Sequence, residues 1–567
     1  MENGRDDTMV TTEEGAGKAA GLTRRDFVGF GAVTAGVSAI TACVGGALGA
    51  RIAKGSDAEV EPEPAPAPVV EASDAEEPWE ETPPPAVRPV IVVSGTAYEM
   101  GVQYGQQAAD YIKRGALIVK QRALPLWGTM EAISKRMDEF EAIMAEKTPN
   151  AVEMWKGIAE GAGVDYDDVR MINLNLPLLI MPMKDGEDEE STDTQTCSHF
   201  SCWGNATADG RMITGRNEDQ GWNTGTYSVV LVAHPSEGAS FIVAPPWAGC
   251  VGGSFSINEH GLVLLGSGGM DSRPEDSAFG VDAMCAKLEI LMGCKTAQDA
   301  VDRYLEFECG SAENAQFVDE NEAIVVEYTP AVHVVRHSGD FGEDDYLIAT
   351  NYFIAPDMEP ANHQDEWMGG LWDSIPRYET YEQLIRENYG QIDEEIVKSM
   401  VGCTRYYHDG EWHDDTLDLM PFEDPKTLWS PEGRDVMYKT LGSSCIVPAD
   451  RAFSFLQGQT DDLFSVVPHA TGTYCKLVLD EITGMARSAS FEAEMRIWEL
   501  AAAISTDEAT ADNAIELLDE AREKLWAGLN YQAEAELATE PAEADEFWGK
   551  ALTRYCEAQC IAAKGVK

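Results

Sequence analysis

The stretch from Asp193 to Asp219 constrains this chain more than any other. Its pivot is Ala208-Asp209-Gly210, where Asp-Gly supplies the positive φ that a tight hairpin needs. Residues 201–207 then read as a first strand with its exit, and residues 211–214 as a second strand. The polar cluster Gly215-Arg216-Asn217-Glu218-Asp219 closes the hairpin. Cys197 stands just ahead of it, behind the strongly acidic run 184–196. That run holds too few apolar residues to order itself, and exposed polar segments are where chains are cut. A break between Thr196 and Cys197 would make the cysteine a new N-terminus.

Such an N-terminus is chemically useful. A thiol attacks an amide well only as thiolate, and an ordinary cysteine has a pKa of about 8.5. A freed α-amine, with a reference pKa of about 7.7–8.0, places a base beside the sulfur. No histidine is then required.

Composition excludes several classes. The 567 residues carry a net charge of −58, which repels phosphate backbones, so nucleic acid is not a partner. The length suits two or three domains, or one enlarged α/β domain with added helices. Among twelve cysteines there is no Cys-x-x-Cys pair, and no His-Glu-x-x-His occurs. Neither a metal nor a cofactor is expected. The nine histidines are scattered and read as surface or core residues.

The N-terminal part reads as an address. Leu22-Thr-Arg-Arg-Asp-Phe-Val28 carries a twin arginine, and residues 27–50 are uncharged and rich in Gly and Ala. This has the form of a twin-arginine export signal; the alternatives are a weak membrane span or a buried helix. Ile40-Thr-Ala-Cys43 is lipobox-like and makes Cys43 a lipidation candidate, against a cysteine placed there by chance. Residues 56–87 are rich in Pro, Ala and Glu and read as a solvated tether or leader.

Periodicity then predicts a strand at 88–94 and helices at 95–123, 130–147 and 151–162, with Asp165 capping another. Residues 174–183 are apolar. After Cys197 strands are expected at 227–234, 241–244, 262–265, 315–318, 323–328, 333–337, 346–350, 443–447, 452–457 and 463–467. Helices are expected at 281–306, 372–388 and 394–401, and from about 491 onward. This order describes a layered core bracketed by helices. In the C-terminal helices Trp498, Trp526, Trp548 and Tyr555 are spaced as a packing stripe.

Several pieces, in order, resemble the isopenicillin-N acyltransferase-like family of cysteine autoproteolytic acyltransferases and hydrolases. They are Gly95-x-x-Tyr-Glu-Met-Gly-x-x-Tyr-Gly105, Gly157-Ile-Ala-Glu-Gly-Ala-Gly163, Cys197-Ser-x-Phe-x-x-Trp-Gly-x-Ala-Thr-x-Asp-Gly210, Gly215-Arg-Asn-x-Asp219 and Ile257-Asn-Glu-x-Gly-Leu262. The resemblance covers residues 87–458. It implies an α+β fold, the four-layer αββα sandwich of N-terminal-nucleophile (Ntn) hydrolases, with helical N-terminal and C-terminal extensions. The division is then a signal at 1–50, a tether at 51–87, a helical pro-segment at 88–196, a catalytic core at 197–490 and a helical region at 491–567.

The resemblance also implies roles. Cleavage falls between Thr196 and Cys197, and Cys197 is the nucleophile. Arg216 and Asp219 face the thiol and amine. Asn351 donates its side-chain N–H to the oxyanion, against an ordinary strand-exit turn. Arg377 matches a second family arginine more weakly, against a helix-surface role. Related bile-salt hydrolases place an asparagine where this chain has Gly266-Ser-Gly-Gly269, so that contact is not expected. Cys202 should lie on the strand face opposite Cys197.

The expected function is an exported, lipid-anchored or secreted, autoproteolytic cysteine amidohydrolase. It acts on linear amides of small N-acyl compounds through a thioester. The alternatives are an acyltransferase passing the acyl group to an amine, and an uncleaved envelope protein that binds a ligand. The two cleaved chains would stay associated, and contact with the membrane would run only through the signal or lipid.

Overall fold

Hydrophobic alternation along the strands builds two sheets that share a core. The structure, a computed structural model, describes residues 87–174, 196–221, 228–268, 278–362, 371–413, 438–457 and 472–566. The signal, Cys43, the tether, the acidic run 184–195 and the expected strand 463–467 lie outside the described residues. All described residues fall in one compact unit, 81–567.

The larger sheet has eight strands. Numbered along the chain and given in spatial order, they are β1 (Val90–Gly95), β4 (Val230–Pro235), β5 (Phe241–Val243), β6 (Ser256–Asn258), β7 (Val263–Gly268), β8 (Glu313–Val318), β9 (Ala323–Tyr328) and β10 (His333–Arg336). β1 runs parallel to β4, and the other neighbours pair antiparallel. The smaller sheet orders β11 (Tyr346–Ala349), β2 (Thr196–Cys202), β3 (Ile213–Gly221), β14 (Tyr438–Val447), β15 (Ala452–Gln457) and β16 (Thr473–Val478), all antiparallel, and β12 (Tyr406–His408) pairs with β13 (Glu411–His413) in a separate hairpin.

Period-2 alternation sends each strand's apolar residues to two cores. Ile91, Val93, Leu231, Ala233 and Leu264 face an outer helical layer. That layer comprises α1 (Ala97–Gln107), α2 (Ala109–Trp127), α3 (Met130–Lys147), α4 (Pro149–Ala162), α5 (Tyr166–Asn173), α6 (Ala283–Gly293) and α7 (Ala297–Phe307). The intervening Val90, Val92, Val230, Val232 and Leu265 meet Leu347, Ile446, Phe453 and Leu477 of the smaller sheet. The smaller sheet's other face, with Phe200, Cys202, Ile348 and Cys445, packs on α8 (Leu371–Glu387) and α9 (Glu394–Val401). The result is helix, sheet, sheet, helix: the α+β sandwich expected.

The helical residues before Cys197 are built into this body. β1 pairs with β4 across the Thr196–Cys197 junction in sequence, and α1 packs on α4 along glycines. A Cβ at Gly101 would stand 2.4 Å from the Met154 carbonyl oxygen, and one at Gly161 would stand 2.1 Å from that of Val102. Only a missing side chain lets the two backbones approach so closely. These glycines are the first two pieces of the family pattern, so those pieces serve packing. The Asn258 piece is also structural: its side chain accepts from His260 and Leu262 N–H and donates to the Leu291 and Cys294 carbonyls at the end of α6.

At the C-terminus, α10 (Ile482–Thr506), α11 (Ala514–Leu537) and α12 (Pro541–Ala563) stack on one side of the sandwich. α12 covers the edge strand β1, where Thr553 Oγ1 accepts the Val90 N–H at 2.9 Å. Trp548 and Tyr555 are buried there, as the stripe requires, but Trp498 and Trp526 are 71% and 66% exposed. The stripe therefore breaks into a buried half on α12 and two solvent-facing indoles. Asp165 does sit at the N-cap of α5, yet its side chain makes no capping hydrogen bond.

Candidate active site

The Asp-Gly turn forms as expected, with Gly210 at φ +81°, but both strands are longer than the sequence indicated. Cys197 lies inside β2, and the cluster 215–219 is the body of β3. The register pairs Thr196 with Asp219, Cys197 with Glu218, Ser198 with Asn217 and His199 with Arg216. Side chains alternate across this register. Cys197, His199, Arg216 and Glu218 therefore share the face toward the larger sheet. Cys202 lies on the other face, in the core against α8 and α9, as alternation predicted.

Arg216 is the group that meets the sulfur. Its Nη2 lies 3.4 Å from Cys197 Sγ. Nε and Nη2 also donate to the Gly266 carbonyl at 3.1 and 2.9 Å, and the guanidinium lies 4.0 Å from the Phe255 ring centroid. It is buried, so its charge acts in a weakly screening environment. Gly266 makes room for this arrangement. A Cβ there would fall 2.3 Å from Glu313 Oε1 and 2.8 Å from Lys287 Nζ. Those two form a buried ion pair behind the strand, completed by Ser254 on Lys287 and Tyr304 on Glu313. The Gly266–Gly269 stretch that departs from the family pattern thus supplies a backbone acceptor for Arg216.

Asn351 and Arg377 hold the main chain of Cys197. The Cys197 N–H donates to Asn351 Oδ1 at 2.9 Å. Arg377 Nη1 donates to the Cys197 carbonyl oxygen at 2.5 Å, and Nη2 donates to Asn351 Oδ1 at 2.9 Å and Ser374 Oγ at 3.1 Å. Arg377 is buried in α8 against the Cys197 backbone, so the helix-surface alternative is excluded. The Asn351 amide nitrogen donates to the Gly268 carbonyl at 2.8 Å. In the continuous chain it is therefore the oxygen of Asn351, and not the N–H assigned to the oxyanion, that meets Cys197.

Asp219 differs from Arg216 in orientation. It lies opposite Thr196, on the face away from the sulfur, and accepts from Thr440 Oγ1 at 2.7 Å. The carboxylate that shares a face with Cys197 is Glu218.

A buried ion network fixes the loop that carries Asn351. Arg336 pairs with Glu327 and Glu343 and donates to the Ile348 carbonyl at 2.7 Å. Glu327 accepts from Ile354 and Ala355 N–H, and Glu343 accepts from Tyr378, the residue next to Arg377. The network thus ties β11, the following loop and α8 into one frame.

Burial sets the titration. It pushes the Cys197 thiol up to about 11; Arg216 pulls it down, while Glu218 and Asp219 add to the rise. Burial holds His199 down at about 3, so its ring is neutral near pH 7. That ring contacts Gln316 Oε1 at 2.9 Å and lies 3.3 Å from the Asn314 carbonyl. Among the described residues no cluster of three or more His, Cys, Asp or Glu is arranged to hold a metal ion. Also among them, no helix is long and apolar enough to cross a membrane.

Two facing sheets between helical layers, with a buried cysteine near the head of a central strand, define a mixed α+β sandwich of the Ntn-like class. Residues 206–429 match the family described as acyl-coenzyme A:6-aminopenicillanic acid acyl-transferase, which bears out the resemblance to isopenicillin-N acyltransferase-like proteins. The matched segment contains Arg216, Asp219, Asn351 and Arg377 and begins after Cys197. The chain is also similar to an uncharacterized protein of Archaeoglobus fulgidus, 23% identical over 357 residues. That alignment covers 54% of this chain and 56% of the relative, so the chain spans about half the length of the curated relative it matches.

Proposed function

We propose that this chain is an acyl-transferring cysteine enzyme of the Ntn type, with Cys197 Sγ as its reacting atom. Its reaction is hydrolysis of linear amides of N-acyl compounds, N-acyl amino acids among them. The observation that carries this reading is the guanidinium of Arg216, 3.4 Å from that sulfur, on a nucleophile whose backbone Asn351 and Arg377 grip.

Maturation comes first. Cys197 Sγ attacks the Thr196 carbonyl carbon, the thiol proton passes to the peptide nitrogen, and that nitrogen leaves as the α-amine of Cys197. Water then resolves the thioester and leaves Thr196 with a carboxylate. In the uncut chain burial holds the thiol protonated near pH 7. The freed amine supplies the base that this thiol lacks, and Arg216 stabilises the thiolate. In turnover the thiolate attacks the substrate carbonyl, the amine product leaves with a proton, and water releases the acid. An amine in place of water makes the same enzyme an acyltransferase, the activity named for the matched family. For Asn351 to serve the oxyanion, its N–H must leave Gly268 once the cut frees the Cys197 amine.

The two product chains stay together because the segment before the cut supplies β1 to the larger sheet and helices to its outer layer. Export follows from the twin arginine at Arg24-Arg25, with the tether and Cys43 as the route to a lipid anchor.

The test is incubation with a panel of N-acyl amino acids, with and without added amine. Release of free acid together with an acyl adduct on Cys197 supports the hydrolase. New amide formed at the expense of acid moves the assignment to the acyltransferase. No acyl adduct on Cys197 with any turned-over substrate removes Cys197 from the chemistry.

A further inference from the structure

We infer that Cys475 and Cys560 are joined by a disulfide in the oxidised protein. Cys475 lies in β16, the edge strand of the smaller sheet, and Cys560 in α12. Their sulfurs are 3.1 Å apart. That is closer than the usual nonbonded approach of about 3.5–4.0 Å between heavy atoms, and about 1 Å beyond a bonded pair. Both residues are buried in the core shared by the sheets, 85 positions apart in sequence. Cys556, one helical turn before Cys560, is also near: Cys475 meets its carbonyl oxygen at 3.2 Å and interacts with its thiol as well.

The surroundings favour exchange chemistry at this pair. The contact with Cys475 holds the Cys560 thiol below its ordinary value, and Lys564 and Arg496 pull it further down. The sequence neighbours Lys476 and Gln559 line a cleft of about 330 Å³, together with Arg496. The reaction is thiol–disulfide exchange with a small disulfide donor. The Cys560 thiolate attacks one sulfur of the donor and releases a donor thiolate. The Cys475 thiolate then attacks the Cys560 sulfur of the mixed disulfide and releases the second. Two protein thiols are oxidised, and the donor disulfide is reduced to two thiols.

The cross-link ties together elements that do not neighbour each other in either sheet. α12 covers β1 at the edge of the larger sheet and bonds β16 at the edge of the smaller one through Gln559, which accepts the Lys476 N–H at 2.9 Å. A bond from Cys475 to Cys560 therefore fastens both sheet edges to one helix.

The test uses the full chain equilibrated with oxidised glutathione, denatured without reductant, alkylated and digested. Trypsin leaves Cys556 and Cys560 on one peptide, so Cys556→Ser is run beside the unaltered chain. The expected result is a linked peptide pair containing Cys475 and Cys560 in both proteins. In Cys475→Ser the same treatment should leave Cys560 joined to no other peptide, either alkylated or held as the mixed disulfide with glutathione. Alkylated Cys475 and Cys560 after oxidation of the unaltered chain would overturn the inference, and so would loss of the cross-link in Cys556→Ser.

Discussion

Arg216 reaches Cys197 diagonally across the β2–β3 hairpin, since its direct partner in the register is His199 and that of Cys197 is Glu218. The diagonal fixes the guanidinium over the sulfur while Nε and Nη2 also donate to the Gly266 carbonyl. Replacement by lysine keeps a charge but loses the planar fork and the stacking on Phe255. Arg216→Lys is expected to lower kcat/KM on the order of 10²-fold, a loss of about 3 kcal/mol of transition-state stabilisation. The alkylation rate of Cys197 should also shift to higher pH. An unshifted alkylation profile would mean that the guanidinium does not tune the thiol.

Gly266 and Gly268 give a matched pair. A Cβ at Gly266 meets the buried Lys287–Glu313 pair, whereas one at Gly268 meets nothing within 4 Å. Gly266→Ala is expected to destabilise the fold by about 1–3 kcal/mol, as overpacking does. It should also lower activity by moving the acceptor of Arg216. Gly268→Ala should leave the denaturation midpoint nearly unchanged. Equal midpoints for the two variants would contradict the packing account.

Arg377 grips the backbone of Cys197, the nucleophile of the proposed reaction. With lysine in its place one point of contact replaces the fork on the Cys197 carbonyl and Asn351. Arg377→Lys should slow the appearance of the cut chain on the order of 10²-fold. The far-ultraviolet circular dichroism should not change. The check is a time course on denaturing gels after synthesis, and an unaltered time course counts against the positioning role.

Asp282 offers a pH test of the scaffold. Its carboxylate caps α6, accepting from Met284 and Cys285 N–H, yet burial pushes its pKa up to about 6. A folded-state value above the ordinary value of about 3.9 gives stability that is complete below pH ~4 and is lost as pH rises through pH ~6. Asp282→Asn keeps a capping oxygen and removes the titration. Between pH 4 and 7 the stability of the native chain should fall by about 2 kcal/mol relative to this variant. Denaturant midpoints at the two pH values decide it, and a constant difference refutes the assignment.

Much of the sandwich was legible because strand alternation and turn chemistry are local. The Asp209-Gly210 turn, the opposed faces of Cys197 and Cys202, and the helix at Glu394–Val401 all followed from spacing. The extent of β3 did not. Arg216 and Glu218 face the larger sheet while Asn217 and Asp219 are buried on the opposite face, so both faces are polar and the alternation carries no apolar signal. Gly266 was invisible for another reason: its contribution is a carbonyl oxygen and an absent side chain, and neither has a residue-type signature. Arg377 stayed open between a family match and a helix-surface role because nothing local shows that α8 packs its first turns on Cys197. Trp498 and Trp526 read as core because helical spacing identifies a stripe, not what covers it.

The most direct measurement is the intact mass and N-terminal sequence of the purified protein, beside Cys197→Ala. The account predicts two chains, the larger beginning at Cys197, with the Cys197→Ala protein remaining whole. A single uncut chain in both would contradict it, because the buried thiol would then have no α-amine beside it.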